Sequence, residues 1–204
     1  MFPGAALILL VVALIVPAFF VLTWTISSYN RLNALRRTYT KAYESVDARL
    51  KQRYDLILDL VEAAKGYVQQ TPGTTEAVVA ARNSASAANL RASQLPGDPT
   101  AMKELSGAEI ALTSTLRRLF AVLEVSPELK TDSIMRNARE ELASSEQRVA
   151  AERQAYNDAV MRYNGVRRTF PNSVIALPFG FVVADVFETD RSGLAETRRT
   201  PASP

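Results

Sequence analysis

From Phe2 to Tyr29 the chain carries no charged side chain, and Arg31, Arg36, Arg37 and Lys41 then follow in quick succession. The apolar run from Ala5 to Ile26 is about 22 residues long, against the ~20 that a helix needs to cross the hydrocarbon core of a bilayer. Trp24 and Tyr29 stand where the run ends, as amphipathic rings do at a headgroup boundary. A transmembrane anchor over residues 1–27 is expected, with a cleaved signal peptide as the competing reading. The absence of a basic residue before the run, and of a small-x-small cleavage site after it, favours the anchor. Pro17 lies inside the run, where a membrane helix tolerates proline if neighbours or a local kink satisfy the freed carbonyl.

Charge sets the expected orientation. Arg31, Arg36, Arg37, Lys41, Arg49, Lys51 and Arg53 follow the run, opposed only by Glu44 and Asp47. Lys and Arg near a span stay on the cytoplasmic side, so the C-terminal domain is expected in the cytoplasm and the N-terminus outside, in a bacterial inner membrane. Arg31, Arg36 and Arg37 also lie close enough to the bilayer to meet anionic lipid, or they act only to set topology.

The chain has no cysteine and no histidine. Thiol nucleophiles, disulfides, thiolate zinc sites and imidazole proton transfer are thereby excluded. The net charge is only +3 and its basic residues crowd beside the apolar run, which is not a nucleic-acid footprint.

Beyond the anchor, apolar residues recur at threes, fours and sevens. Leu32, Leu35, Tyr39, Tyr43, Val46, Leu50, Ile57, Val61, Ala64 and Val68 draw one stripe along a helix from Ser28 to Gln70, ended by Thr71-Pro72-Gly73. This helix either continues the span or hinges between Thr25 and Asn30. An Ala/Ser-rich helix is expected over 75–95, then a turn at Pro96-Gly97-Asp98-Pro99 with Asp98 as N-cap. A third helix is expected over 100–125, closed by Ser126-Pro127 with a short turn through Lys130, and a fourth over 132–169. Ser145 and Glu152 interrupt the apolar stripe of the last, as partner contacts or as register devices.

Short turns between four helices predict an all-α, antiparallel up-and-down four-helix bundle whose first and fourth helices are the long pair. The bundle is expected over 28–187, with a disordered polar tail over 188–204. Alternating directions return the end of the fourth helix, near Phe170-Pro171, to the membrane. The short apolar C-terminal segment from Val174 to Phe187, VIALPFGFVVADVF, then lies there either as a lid on the bundle or as an interfacial foot. In the foot reading Phe179, Phe181 and Phe187 dip into the headgroup region and face lipid, together with Arg31, Arg36 and Arg37.

The stretch YNRLNALRRTYTKAYESVDARLKQRYDLILDLVEAAKGY (Tyr29 to Tyr67) resembles the opening signature of the LemA family. LRRLFAVLEVSPELK (Leu116 to Lys130) and YNDAVMRYNGVRRTFPNSVIALPFGF (Tyr156 to Phe181) resemble its closing stretches, in the same order. The resemblance implies a bacterial membrane protein with one N-terminal span and a helical bundle; it implies no reaction. Leu58-Asp59 stands where the family usually has Pro-Asn, Ser126 where it commonly has an aromatic, and the chain ends in ETRRTPASP.

Asp55, Asp59 and Glu62 share one helical face, as ligands for Mg²⁺ or Ca²⁺ or as a solvated face laced by Lys51 and Lys65. Tyr156-Asn157 and Tyr163-Asn164 repeat after seven residues, as seam packing or as a surface for a partner helix. Phosphate loops, nucleophile elbows and metal-helix motifs are absent from the sequence. No catalytic, cofactor or metal residue is assigned. The expected protein is a membrane-anchored scaffold or adaptor, its partners the lipid bilayer and other membrane or cytoplasmic proteins. A lipid-remodelling or membrane-organising element is the alternative, and an enzyme with a carboxylate-based site stands behind both.

Overall fold

The computed structural model of the chain describes residues 3–64, 73–125 and 133–189. They form α1 (Pro3–Ala64), α2 (Thr74–Gln94), α3 (Pro99–Val125), α4 (Ser133–Arg168) and the short α5 (Asn172–Ala176), with no strand among the described residues. The expected bounds of α2, α3 and α4 agree to within a residue or two, while the expected end of the first helix at Gln70 lies outside the described residues. The stops at Thr71-Pro72 and Ser126-Pro127 and the tail beyond 189 lie outside the described residues.

α1 is a single helix of 62 residues that contains Pro17 and passes without a break through Thr25 to Asn30, so of the two alternatives it continues the apolar segment rather than hinging there. Its N-terminal part stands clear of the bundle: Leu14, Phe19 and Phe20 are among its exposed side chains, and only 6% of its most apolar window, of mean hydropathy 2.1, is buried. A core helix of a soluble protein would be covered; this one is long and apolar enough to cross a membrane. Its polar groups bond within the helix, the Thr23 hydroxyl donating to the Phe19 carbonyl at 3.0 Å and that of Thr25 to Val21 at 2.8 Å. That is the arrangement hydrocarbon surroundings demand.

From Leu32 onward one face of α1 is buried, and α4 runs antiparallel along it. The register is visible in paired side chains. Tyr39 meets Tyr163, with ring centroids 5.2 Å apart, and Tyr43 meets Tyr156 at 5.4 Å. Further from the apolar segment, Arg49 meets Glu152 at 3.9 Å and Arg53 meets Glu146 at 3.0 Å. α2 packs on both α1 and α3, with Val78, Ala85, Ala88 and Ala92 buried, and the alanines leave little bulk between the helices. Polar contacts add to that thin apolar seam: the Tyr43 hydroxyl donates to Asn89 at 2.9 Å, and the Asn89 amide donates to Asp47 at 2.6 Å.

Asp98 caps α3 as expected, accepting from the Ala101 N–H at 2.9 Å. The preceding Gly97 has φ of 83°, and a Cβ there would stand 2.9 Å from the Ala184 Cβ. Glycine is required at this position on both counts. The α2–α3 turn thus closes against the C-terminal segment, and the Asp185 N–H donates to the Gly97 carbonyl at 2.9 Å.

Candidate functional site

Two regions hold chemistry: the end of the bundle where α1 leaves its apolar segment, and an open groove between α3 and α4. At the first, the chain beyond α5 extends over residues 181–187 and lies back along α4. Inward side chains recur at every third residue, so that Phe181, Ala184 and Phe187 are buried. The backbone is held by side chains of α4. The Asn164 amide donates to the Ala184 carbonyl (2.7 Å) and accepts from the Ala184 N–H (3.1 Å). Seven residues earlier on α4, Asn157 does the same to Phe187, at 3.1 and 2.8 Å. The Tyr163 and Tyr156 hydroxyls donate to the carbonyls of Val182 and Asp185, each at 2.8 Å, and Arg167 Nε donates to that of Phe181 at 2.6 Å. The Tyr-Asn repeat is thus occupied by the chain's own backbone, each asparagine pairing both main-chain groups of one residue as a neighbouring strand would.

The residues expected at the lipid divide. Arg31, Arg36 and Arg37 are exposed on α1. Phe179 is 51% exposed, with its ring 5.5 Å from that of Tyr29. Phe181 and Phe187 are buried in the bundle core, at 3% and 1% exposure, with the Phe181 ring 5.5 Å from that of Tyr29, and a lipid-facing role for both is corrected accordingly.

The second region surrounds Arg53, which is 4% exposed. Its Nη1 donates to Glu109 Oε2 on α3 and its Nη2 to Glu146 Oε1 on α4, the latter at 3.0 Å. Glu109 Oε1 accepts from the Tyr54 hydroxyl, while Arg53 Nε is buried without a partner. Above this knot α3 and α4 part to leave a groove of about 790 Å³, bordered by Ser114, Arg117, Glu146, Val149, Arg153 and Phe187. Elsewhere between the same two helices, Arg139 lies over the Phe120 ring, 4.7 Å from the centroid. A mixed floor of apolar, cationic and anionic groups suits a protein surface better than a small apolar ligand.

Sequence reading counts Arg53 only within the basic cluster that follows the apolar run, and passes over Glu109 and Asn89. The available signal was positional: each sits within a helical stripe, Arg53 between Leu50 and Ile57, Glu109 between Leu105 and Leu112, and Asn89 between Ala85 and Ala92. Ser145 is buried, its hydroxyl donating to the Leu142 carbonyl at 2.7 Å, and Glu152 faces Arg49. Asp55 lies 3.4 Å from Arg82 of α2, and Lys51 pairs with Asp47 at 2.7 Å rather than with Asp55. Among the described residues no three acidic side chains gather as metal ligands.

Burial pushes three tyrosine hydroxyls well above the ordinary value near 10. The Glu109 carboxylate adds to burial at Tyr54, Asp47 at Tyr43, and Tyr39 at Tyr156. Groups raised in the folded state contribute stability that is complete below the unfolded value and lost as pH climbs above it. Helicity is therefore expected to collapse in an alkaline transition that begins above about pH 10, together with a step in tyrosinate absorbance. Smooth ionisation of all tyrosines with helicity intact would show that these hydroxyls reach water.

Comparison with known proteins adds a family. A model described as the LemA family matches residues 42–201. Magnetosome proteins MamQ 2 and MamQ 1 of Paramagnetospirillum magneticum are each 31% identical over 100 residues. Magnetosome protein MamQ of Magnetospirillum gryphiswaldense is 28% identical over the same length. The matched part is 49% of this chain and 37% of each relative, so the chain spans little more than a third of their length.

Proposed function

Because the chain belongs to the LemA family, we propose that it is a membrane-anchored helical scaffold or adaptor that performs no chemistry of its own. Residues 1–27 act as the anchor, 28–187 as the bundle and 188–204 as a polar tail. The bundle stands on the cytoplasmic side, where the cluster from Arg31 to Arg53 belongs. The observation that carries this reading is the continuity of α1, one helix from the apolar segment to the centre of the bundle. A rigid helix transmits the orientation of the membrane to whatever the bundle holds. Partners of stable contact are proteins, received at the open side between α3 and α4. The matched relatives are named as magnetosome proteins, which is in keeping with a membrane-associated protein.

The native chain has no cysteine, so Ser84→Cys, on the exposed face of α2, offers a single label site. An impermeant thiol reagent is expected to label it only in permeabilised cells; labelling of intact cells would reverse the orientation. A photo-crosslinking residue placed at Ser114, in the groove, is expected to give a discrete adduct that the same residue at Ser84 does not. Identical patterns from the two positions would remove the groove as a partner site.

A further inference from the structure

The stretch from Thr169 to Ala184 contains no charged residue. Part of it belongs to the core: Ile175, Ala176, Phe181 and Ala184 are buried. The rest does not. Phe170, Val174, Leu177, Phe179 and Val182 are exposed at 77%, 59%, 80%, 51% and 69%. Single exposed apolar side chains are ordinary on protein surfaces, but five large ones on one charge-free segment mark a contact surface.

What the segment contacts follows from its neighbours. The Phe170 ring lies 6.4 Å from that of Trp24, and the Phe179 ring 5.5 Å from that of Tyr29. Both partners belong to α1 at the end of its apolar run. With Ala5 to Ile26 crossing the hydrocarbon, Trp24 stands at its edge, and Tyr29 stands about 7–8 Å further out. That interval is the depth of the headgroup region, where aromatic and apolar side chains of surface-lying segments settle. Arg31 and Arg168, both exposed, flank the segment on the side away from the hydrocarbon, where anionic headgroups attract them.

We propose that residues 170–182 form a second membrane contact, a foot that dips into the interface of the same bilayer that α1 crosses. The proposal rests on α1 being a span and extends the scaffold reading. A single helix leaves the bundle free to tilt and to swivel about the helix axis. A foot set beside that axis removes both freedoms and fixes the direction in which the α3–α4 groove opens. A protein cover for the same surface would have to descend to the level of Trp24, into lipid.

Trp24 is the only tryptophan of the chain, which provides both the probe and its control. The full-length protein is reconstituted into mixed neutral and anionic phospholipid vesicles, with and without lipid brominated on the upper acyl chain. Native Trp24 fluorescence is expected to be quenched by the brominated lipid. So is that of Trp24→Phe/Leu177→Trp, whose new ring replaces the most exposed side chain of the foot, and to a comparable fraction. Trp24→Phe/Val182→Trp gives the same readout at a second position. Trp24→Phe/Leu90→Trp, exposed on α2 well up the bundle, is expected to be unquenched. Quenching of Trp24 with none at either foot position overturns the foot and leaves the anchor standing. A foot tryptophan shielded from aqueous quencher but untouched by bromine shows a protein cover and also overturns it. Absence of quenching at Trp24 itself removes the span, and the foot with it.

Discussion

Replacement of Glu109 by leucine is expected to destabilise the bundle by about 3–5 kcal/mol, the cost of leaving a buried charge without its partner. Arg53 is the charge in question, and it has little recourse. Its Nε already lacks an acceptor, its contact to Thr113 is long at 3.5 Å, and Glu146, the remaining carboxylate, is half exposed. The Tyr54 hydroxyl loses its acceptor at the same time, which adds about 1–3 kcal/mol if it stays buried and unpaired. Arg53→Met combined with Glu109→Leu should recover most of the loss, because a buried ion pair is often no more stabilising than apolar side chains of similar volume. Tyr54→Phe on top of these should recover more. Denaturant midpoints of the four proteins in mild detergent, followed by helical circular dichroism, decide the matter. A Glu109→Leu midpoint equal to that of the native protein would mean that Arg53 is solvated through the groove above it. The knot joins α1, α3 and α4 at one level, so its loss should also alter the width of that groove.

What the sequence made legible was periodicity. Stripes at three- and four-residue spacing located α1 to α4, and turn chemistry located Asp98 and Gly97, because these signals are local to a few residues. The count of directions was enough to bring the end of α4 back to Trp24. The route of residues 181–187 was not legible. Its inward positions recur every third residue, a period that belongs neither to a strand nor to an α-helix, and most of its hydrogen bonds along α4 go to side chains rather than to a backbone ladder. From the sequence, lid and foot are alternatives for the segment as a whole. The structure divides the segment by residue: Phe181 faces the bundle, while Phe179, two residues earlier, stays half exposed. The pairing of Arg53 with Glu109 was not legible for a related reason. A charged residue within an apolar stripe looks like an interruption until its partner on another helix is known, and that pairing spans 56 positions of the chain.

The second large effect is expected at the asparagine ladder. Asn157→Leu and Asn164→Leu keep side-chain volume nearly constant and remove four hydrogen bonds to the backbone of Ala184 and Phe187. Leaving such groups unpaired costs about 1–3 kcal/mol at each site when water cannot reach them. Against this stands the burial of Phe181 and Phe187, about 1.5–3 kcal/mol for each ring. The two terms are of similar size, so the double variant should release residues 181–187 while α1 to α4 remain folded. Amide exchange at Ala184 and Phe187 should accelerate by roughly tenfold to a hundredfold in each single variant, since a factor of ten corresponds to about 1.4 kcal/mol. Asn157→Asp is the informative control: a carboxylate still accepts from the Phe187 N–H but sets its second oxygen against the Phe187 carbonyl. It should therefore lose protection where a purely steric role would keep it. Unchanged exchange at Ala184 and Phe187 in the double variant would show that the aromatic rings alone hold the segment. Release, in contrast, would free the chain that carries Phe179 and Val182, and the end of the bundle would lose its fixed position beside Trp24 and Tyr29.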